Sequence, residues 1–310
     1  MSTHGIHHVT AIAGAAGRNA DFYTRVLGLR LVKKTVNFDD PGTYHLYYGD
    51  EAGQPGTIIT FFPWDHVAAG RVGVGETQQT VFRVPEEALG FWIHRFVANG
   101  VEHEPVTRHF GESVIAFRDP DGMRLGLAGV PGIASEPAWS EGDVPPEAAI
   151  RGVHSVNLLL AEIAGTAAVL TDVLGFAEAG REGSVTRFRA DGTGIGGIVD
   201  LHEAGGFLAG RAGGGSVHHI AFRAKDDAEQ DAMVKRLRER HGLRATEQKD
   251  RAYFRSVYFR EPGGVLFEIA TDEPGFDADE SRDRLGRDLK LPAFLEGRRP
   301  AIEAALPPIG

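Results

Sequence analysis

The feature that most constrains this fold is a plan repeated four times along 310 residues. Its first copy reads as a strand at 6–13, a helix over about 17–27, and strands near 29–36, 43–49 and 57–62. The helix "RNADFYTRVLGL" sets Ala20, Tyr23, Val26 and Leu27 near one face, and Gly28 follows it as a C-cap. A third copy runs through "RGVHSVNLLL" and "GTAAVLTDVLGF", where Leu174-Gly175-Phe176 repeats Leu27-Gly28-Leu29 at an offset of 147. The same offset carries His7 to His154 and His8 to Ser155, so a strand and its helix keep one register. That agreement argues for duplication. The second and fourth copies match best at their last hairpins, "VIAFRDPDGMRLGLAG" and "SVYFREPGGVLFEIAT", each an alternating strand, an acid-Pro-Gly turn and an apolar strand. Aligning Gly122 with Gly264 sets Gly126 opposite Glu268.

Each copy is a βαβββ unit, at about 1–65, 76–130, 150–205 and 215–272. Units this short cannot each close a good core, so the spacing predicts an α+β fold of four βαβββ modules paired into two open, curved, barrel-like sheets. By organisation the chain divides into an N-terminal half, 1–145, and a C-terminal half, 146–310, with two modules in each. The segment 131–149, "PGIASEPAWSEGDVPPEAA", reads as a linker from its prolines, acids and small residues. The tail "LGRDLKLPAFLEGRRPAIEAALPPI" retains enough leucine for a short helix packed on the outside.

Composition narrows the partners. A net charge of -10 with no concentrated basic stretch argues against nucleic acid. The absence of cysteine removes disulfides, thiolate catalysis and thiolate-held metal, so any metal must use nitrogen or oxygen ligands. No stretch approaches the roughly 18 to 20 apolar residues of a membrane span, and "MSTHGIHHV" lacks a leader pattern. The expectation is a cytoplasmic enzyme or binding protein without a membrane partner.

Two histidine pairs stand out, "GIHHV" at 5–9 and "SVHHI" at 216–220. Neighbouring side chains in a strand face opposite ways, so His8 shares a face with Thr10 and His219 with Ala221, while His7 and His218 point away. Glu268 sits in the otherwise apolar run "GGVLFEIAT". His8, His219 and Glu268 therefore form a candidate facial triad, two imidazoles and a carboxylate that leave one side of a metal open. Coordination of a cation would compensate burial of the acid. A plainer reading keeps the histidines as core or surface residues and lets Glu268 reach solvent or Arg251 or Arg255. Ser155 and Gly126 deprive the other modules of a complete set, so a single site requires the first and fourth modules to share a cavity. Trp64, Phe61, Phe62, Tyr253 and Phe254 are candidate cavity walls, and His66 reads as a loop residue. The runs "DGTGIGG" and "RAGGGS" lack the strand-turn-helix setting of a phosphate loop.

With these residues in place, the chain resembles the vicinal-oxygen-chelate superfamily, which includes glyoxalase I and the extradiol dioxygenases. Within it the chain is most similar to ring-cleaving dioxygenases that act on hydroquinones. The likeness runs through "HGIHHVTAIAG", "FYTRVLGLRLVKKTVNFDDPGTYHLYYGD", "GSVHHIAF", "RSVYFREPGGVLFEIATDEPGF" and the "LKLPAFLE…LPP" tail. It implies Fe(II) held by His8, His219 and Glu268, with Mn(II) as the alternative ion. It also implies substrate-facing roles for His7, Thr10, His218, Arg251 and Tyr258, of which strand parity favours Thr10 and disfavours His7 and His218. The implied partners are a small aromatic diol and O₂, and the family habit is a homo-oligomer. Two rival functions use the same modules: a glyoxalase-like isomerase or lyase that needs no O₂, and a non-catalytic aromatic-binding protein that needs no metal.

Overall fold

The structure, a computed structural model, describes residues 5–309. The first module supplies β1 (Ile6–Ala13), α1 (Ala16–Asp21), β2 (Arg30–Asn37), β3 (Asp40–Gly49) and β4 (Ile58–Pro63). The second supplies β5 (Glu76–Pro85), α2 (Leu89–Ala98), β6 (Thr107–His109), β7 (Glu112–Arg118) and β8 (Arg124–Val130). The third has β9 (Val153–Leu160), α3 (Ala164–Asp172), β10 (Phe176–Glu182), β11 (Val185–Ala190) and β12 (Ile198–Glu203). The fourth has β13 (Val217–Ala224), α4 (Asp227–His241), β14 (Lys249–Asp250), β15 (Arg255–Arg260) and β16 (Leu266–Thr271). The first and last strands of a module pair in parallel, as β1 with β4 and β13 with β16, which a helical crossover permits.

The two eight-stranded sheets run β14-β15-β16-β13-β1-β4-β3-β2 and β10-β11-β12-β9-β5-β8-β7-β6. Module one therefore joins module four, and module two joins module three. Each junction is an antiparallel pair of first strands. In the β1–β13 pair the register steps from Ile6↔Phe222 to His8↔Ala221 and from Thr10↔His219 to Ala11↔Val217, leaving His7 and His218 as extra residues at two bulges. The β5–β9 pair repeats both steps, with Gln78 and His154 in the extra positions. A bulge re-aims the side chains around it.

One continuous apolar core draws on both sheets. In α2 the buried Leu89, Trp92 and Phe96 follow the spacing of a helix face. Phe61, a candidate cavity wall, lies in this core with its ring 4.5 Å from that of Tyr23. The helix expected over 17–27 begins as α1 and finishes as a π-turn, Phe22–Val26, closed by the Leu27 amide donating to the Phe22 carbonyl at 2.9 Å. Gly28 then adopts φ +70°, and an added Cβ would come within 2.5 Å of Val144 Cγ2. That contact shows the character of segment 131–149: it joins the halves but is packed, with Val144, Ala148 and Ala149 buried and the Trp92 indole donating to the Ala148 carbonyl. The tail forms α5 (Ala293–Glu296) and α6 (Arg299–Ala305), and Leu291, Leu295 and Ile302 pack against Val36 of β2. Among the described residues no helix is long and apolar enough to cross a membrane.

Candidate metal centre

Strand register builds the site. On one face of the first sheet His8 lies across from Ala221, Ala221 across from Glu268, and Glu268 across from Tyr258. Thr10 lies across from His219, one step along the same face. The small Ala221 leaves a gap that the side chains of His8, His219 and Glu268 fill, with one ligand atom of each within 4.8 Å of the others. Glu268 Oε2 is 3.5 Å from His8 Nε2 and 2.9 Å from His219 Nε2, and all three residues are buried. This oxygen makes no aligned hydrogen bond, whereas its partner Oε1 accepts from the Ser256 hydroxyl. A buried carboxylate oxygen without a donor, facing two imidazole nitrogens, is the donor set that a divalent cation satisfies.

The outer histidines explain the pairing. His7 Nδ1 lies 2.9 Å from His8 Nδ1, and His218 Nδ1 lies 2.8 Å from His219 Nδ1. If His8 and His219 turn bare Nε2 atoms toward a cation, their Nδ1 atoms carry protons, and His7 and His218 accept them. Each outer ring thereby orients an inner one. Strand parity had both outer histidines pointing away; the bulges at His7 and His218 overturn that expectation by adding a residue where alternation would otherwise hold. Their positions differ. His7 is buried behind His8 against Phe254, with ring centres 5.2 Å apart, and does not line the cavity, while His218 does. Thr10 is likewise in the floor rather than on the cavity surface, its hydroxyl bonded to Thr60 at 2.9 Å.

The triad opens into a cavity of about 230 Å³ walled by Phe62, Trp64 and Phe254. Tyr253 is core instead, its ring tilted against that of Phe276 with centres 5.1 Å apart, and His66 is an exposed loop residue. Beside the triad, where the Tyr258 ring lies 5.6 Å from that of His219, the Arg251 guanidinium donates to the Tyr258 hydroxyl at 3.3 Å and to Asp39 at 3.2 Å. Five residues absent from the sequence reading also line the cavity: Asn37, Phe38, Asp39, His45 and Tyr47. Period-2 alternation in "TYHLYYG" puts His45 and Tyr47 on one face, but only the β3–β4 pairing shows that this face is the inner one.

Burial and the neighbouring His8 hold His7 well below the usual imidazole range. Burial, then His219, brings His218 to about 4, and burial lowers His219 as well. Burial pushes Glu268 upward, but His8 and His219 outweigh it and keep the acid well below the usual range, hence ionised. Burial and Glu268 raise the Tyr258 phenol, so it keeps its proton.

Fold and site together define a protein of paired βαβββ modules with a candidate three-residue metal centre. The chain belongs to the Glyoxalase/Bleomycin resistance protein/Dioxygenase superfamily, whose profile matches residues 5–127 and 152–269. Within that superfamily it stands with the dioxygenase enzymes. It is 46% identical over 307 residues to MhqO of Bacillus subtilis, which carries the provisional name of ring-cleaving dioxygenase, covering 99% of this chain and 96% of that one. It is 33% identical over 300 residues to the chlorohydroquinone/hydroquinone 1,2-dioxygenase of Sphingobium indicum, covering 94% and 92%. The crystal structure of a B. subtilis protein, provisionally named a dioxygenase, superposes with a TM-score of 0.94 at 44% identity, over 100% of this chain and 98% of that one.

Proposed function

We propose that the chain is a ring-cleaving dioxygenase that opens a hydroquinone-like aromatic diol with O₂, in the extradiol manner, with Fe(II) at His8, His219 and Glu268. The observation that carries this reading is the buried Glu268 Oε2, without a hydrogen bond, beside two imidazole Nε2 atoms at the base of an aromatic-walled cavity. The whole-length similarity to a hydroquinone dioxygenase supports it. A bound Fe(II) would supply open positions at which a phenolic oxygen and O₂ meet and exchange electrons; Mn(II) fits the same ligands.

The chain's own residues do the rest. In this cavity of about 230 Å³, Phe62, Trp64 and Phe254 offer an aromatic ring apolar faces that exclude water. A para-diol cannot place both oxygens at one metal, so its remote hydroxyl needs separate polar partners. Tyr258, protonated, and Arg251, beside it, provide a donor and a cation in the cavity next to the triad. His218 receives the His219 proton at Nδ1, which leaves its own Nε2–H for an oxygen in the cavity it lines.

Anaerobic loading with Fe(II), followed by O₂ and a panel of hydroquinones and catechols, tests the reading. O₂ consumption with an open-ring product is the expected outcome. Metal-dependent turnover of a carbonyl substrate without O₂ would instead establish a glyoxalase-like enzyme, and ligand binding indifferent to metal would establish a binding protein.

A further inference from the structure

We propose that His45 is a positioning residue: through Thr60 it fixes the direction in which the Thr10 hydroxyl donates at the floor of the site. Four groups form an unbroken chain. The Tyr47 hydroxyl lies 2.8 Å from His45 Nδ1, His45 Nε2 lies 2.8 Å from Thr60 Oγ1, and the Thr60 hydroxyl donates to Thr10 Oγ1 at 2.9 Å. A phenol is a better donor than an aliphatic alcohol, so Tyr47 donates to a bare His45 Nδ1, which puts the imidazole proton on Nε2 for Thr60 to accept. Thr60 then donates onward to Thr10, and every bond in the chain runs the same way. The Thr10 oxygen is occupied by Thr60. Its own proton is therefore turned from Thr60 and is available on the face where Thr10 lies across from His219.

The second sheet provides an internal comparison. Its registers place Arg187 across from Asp200, Asp200 across from Asn157 and Asn157 across from Gln79, matching Tyr47, Thr60, Thr10 and His219 in turn. Val185, two residues before Arg187, stands where His45 does. Ser155, Gln79 and Gly126 replace the triad there, and an added Cβ at Gly126 would lie 3.2 Å from Gln79 Nε2, so the glutamine amide fills the space of the acid. In place of the hydroxyl chain, Arg187 pairs with Asp200 at 2.8 Å. The directed chain accompanies the metal ligands and is absent where they are absent.

The effect on turnover rests on the ring-cleaving reading, but the polarity of the chain does not, and the test separates them. In the full-length metal-free protein, nitrogen NMR of His45 should show Nε2 protonated and Nδ1 bare at pH 7.5; the opposite tautomer or an imidazolium overturns the proposal. His45→Gln can still accept from Tyr47 and donate to Thr60, so it should stay within about threefold of the parent kcat, whereas His45→Leu, which can do neither, should lose about tenfold in kcat at unchanged KM and metal content, the scale of one hydrogen bond. Equal losses in both variants, or parent kcat in His45→Leu, overturn it. If His45→Leu does not fold, Thr60→Val against Thr60→Ser makes the same comparison. Absence of any ring cleavage by the loaded parent would reject the ring-cleaving reading and leave the NMR result to decide the polarity.

Discussion

Glu268 occupies the point at which burial, charge and coordination meet. An ionised carboxylate with one oxygen unbonded is a costly thing to bury, and Gly126 at the equivalent place in the second sheet shows that the scaffold does not need an acid there. Glu268→Gln should therefore give a folded protein with Fe(II) occupancy and O₂ uptake at least about tenfold lower, because a neutral amide binds a divalent ion less strongly. His8→Ala and His219→Ala should fail alike; parent iron content and turnover in any of the three would remove that residue from the triad. The outer histidines make a subtler case. His7→Phe keeps an aromatic ring beside Phe254 but removes the acceptor for the His8 Nδ1 proton, so metal affinity should fall about 10-fold or more while the apoprotein keeps its thermal midpoint. Competition with a chelator measures the first, calorimetry the second.

At the scale of elements, the acid-Pro-Gly turns do more than reverse the chain. Asp119 accepts from the amides of Asp121 and Met123 at 2.9 and 2.8 Å and from the Tyr23 hydroxyl at 3.1 Å, tying a hairpin of the second sheet to the helix of module one. Glu261 repeats the arrangement, accepting from the amides of Gly263 and Val265, both at 2.8 Å, and from the Thr166 hydroxyl of α3. Burial raises both acids, Asp119 to about 6. A folded-state pKa above the unfolded value means that the stabilisation is fully present below pH 3.8 and is lost as pH rises through about 6. The full swing for Asp119 is at most about 3 kcal/mol. Asp119→Asn keeps the acceptor oxygen without the charge, so urea unfolding of the metal-free protein should show the variant gaining on the parent between pH 4.5 and pH 7.5. A difference that stays constant with pH would refute the assignment.

For the whole molecule, the strand order makes the two halves interdependent. The first sheet takes β1–β4 from one end of the chain and β13–β16 from the other, and the triad draws His8 from the first set and His219 and Glu268 from the second. The C-terminal segment reinforces this closure: Lys33 of β2, fully buried, pairs with Asp279 at 2.6 Å and Glu280 at 2.5 Å. Fragments 1–140 and 141–310 produced separately should each lack cooperative unfolding and Fe(II) binding, and co-expression should restore both. Tight Fe(II) binding by either fragment alone would contradict a shared site.

Much of this was legible in the sequence because duplication leaves a periodic trace. The offset that carries Leu27-Gly28-Leu29 to Leu174-Gly175-Phe176 locates the modules, and the lone acid in "GGVLFEIAT" marks Glu268 as needing a partner. Two kinds of fact were out of reach. The bulges that turn His7 and His218 toward their neighbours are properties of a strand pair, since an extra residue exists only relative to the partner it fails to match. His45, Tyr47 and Asp39 enter the site by the register of β3 on β4 and by the reach of a hairpin toward Arg251, contacts between residues up to 212 positions apart. Alternation along one strand determines which residues share a face; the pairing of strands decides which face looks inward, and that choice is made by burial of the whole sheet rather than by any local run of residues.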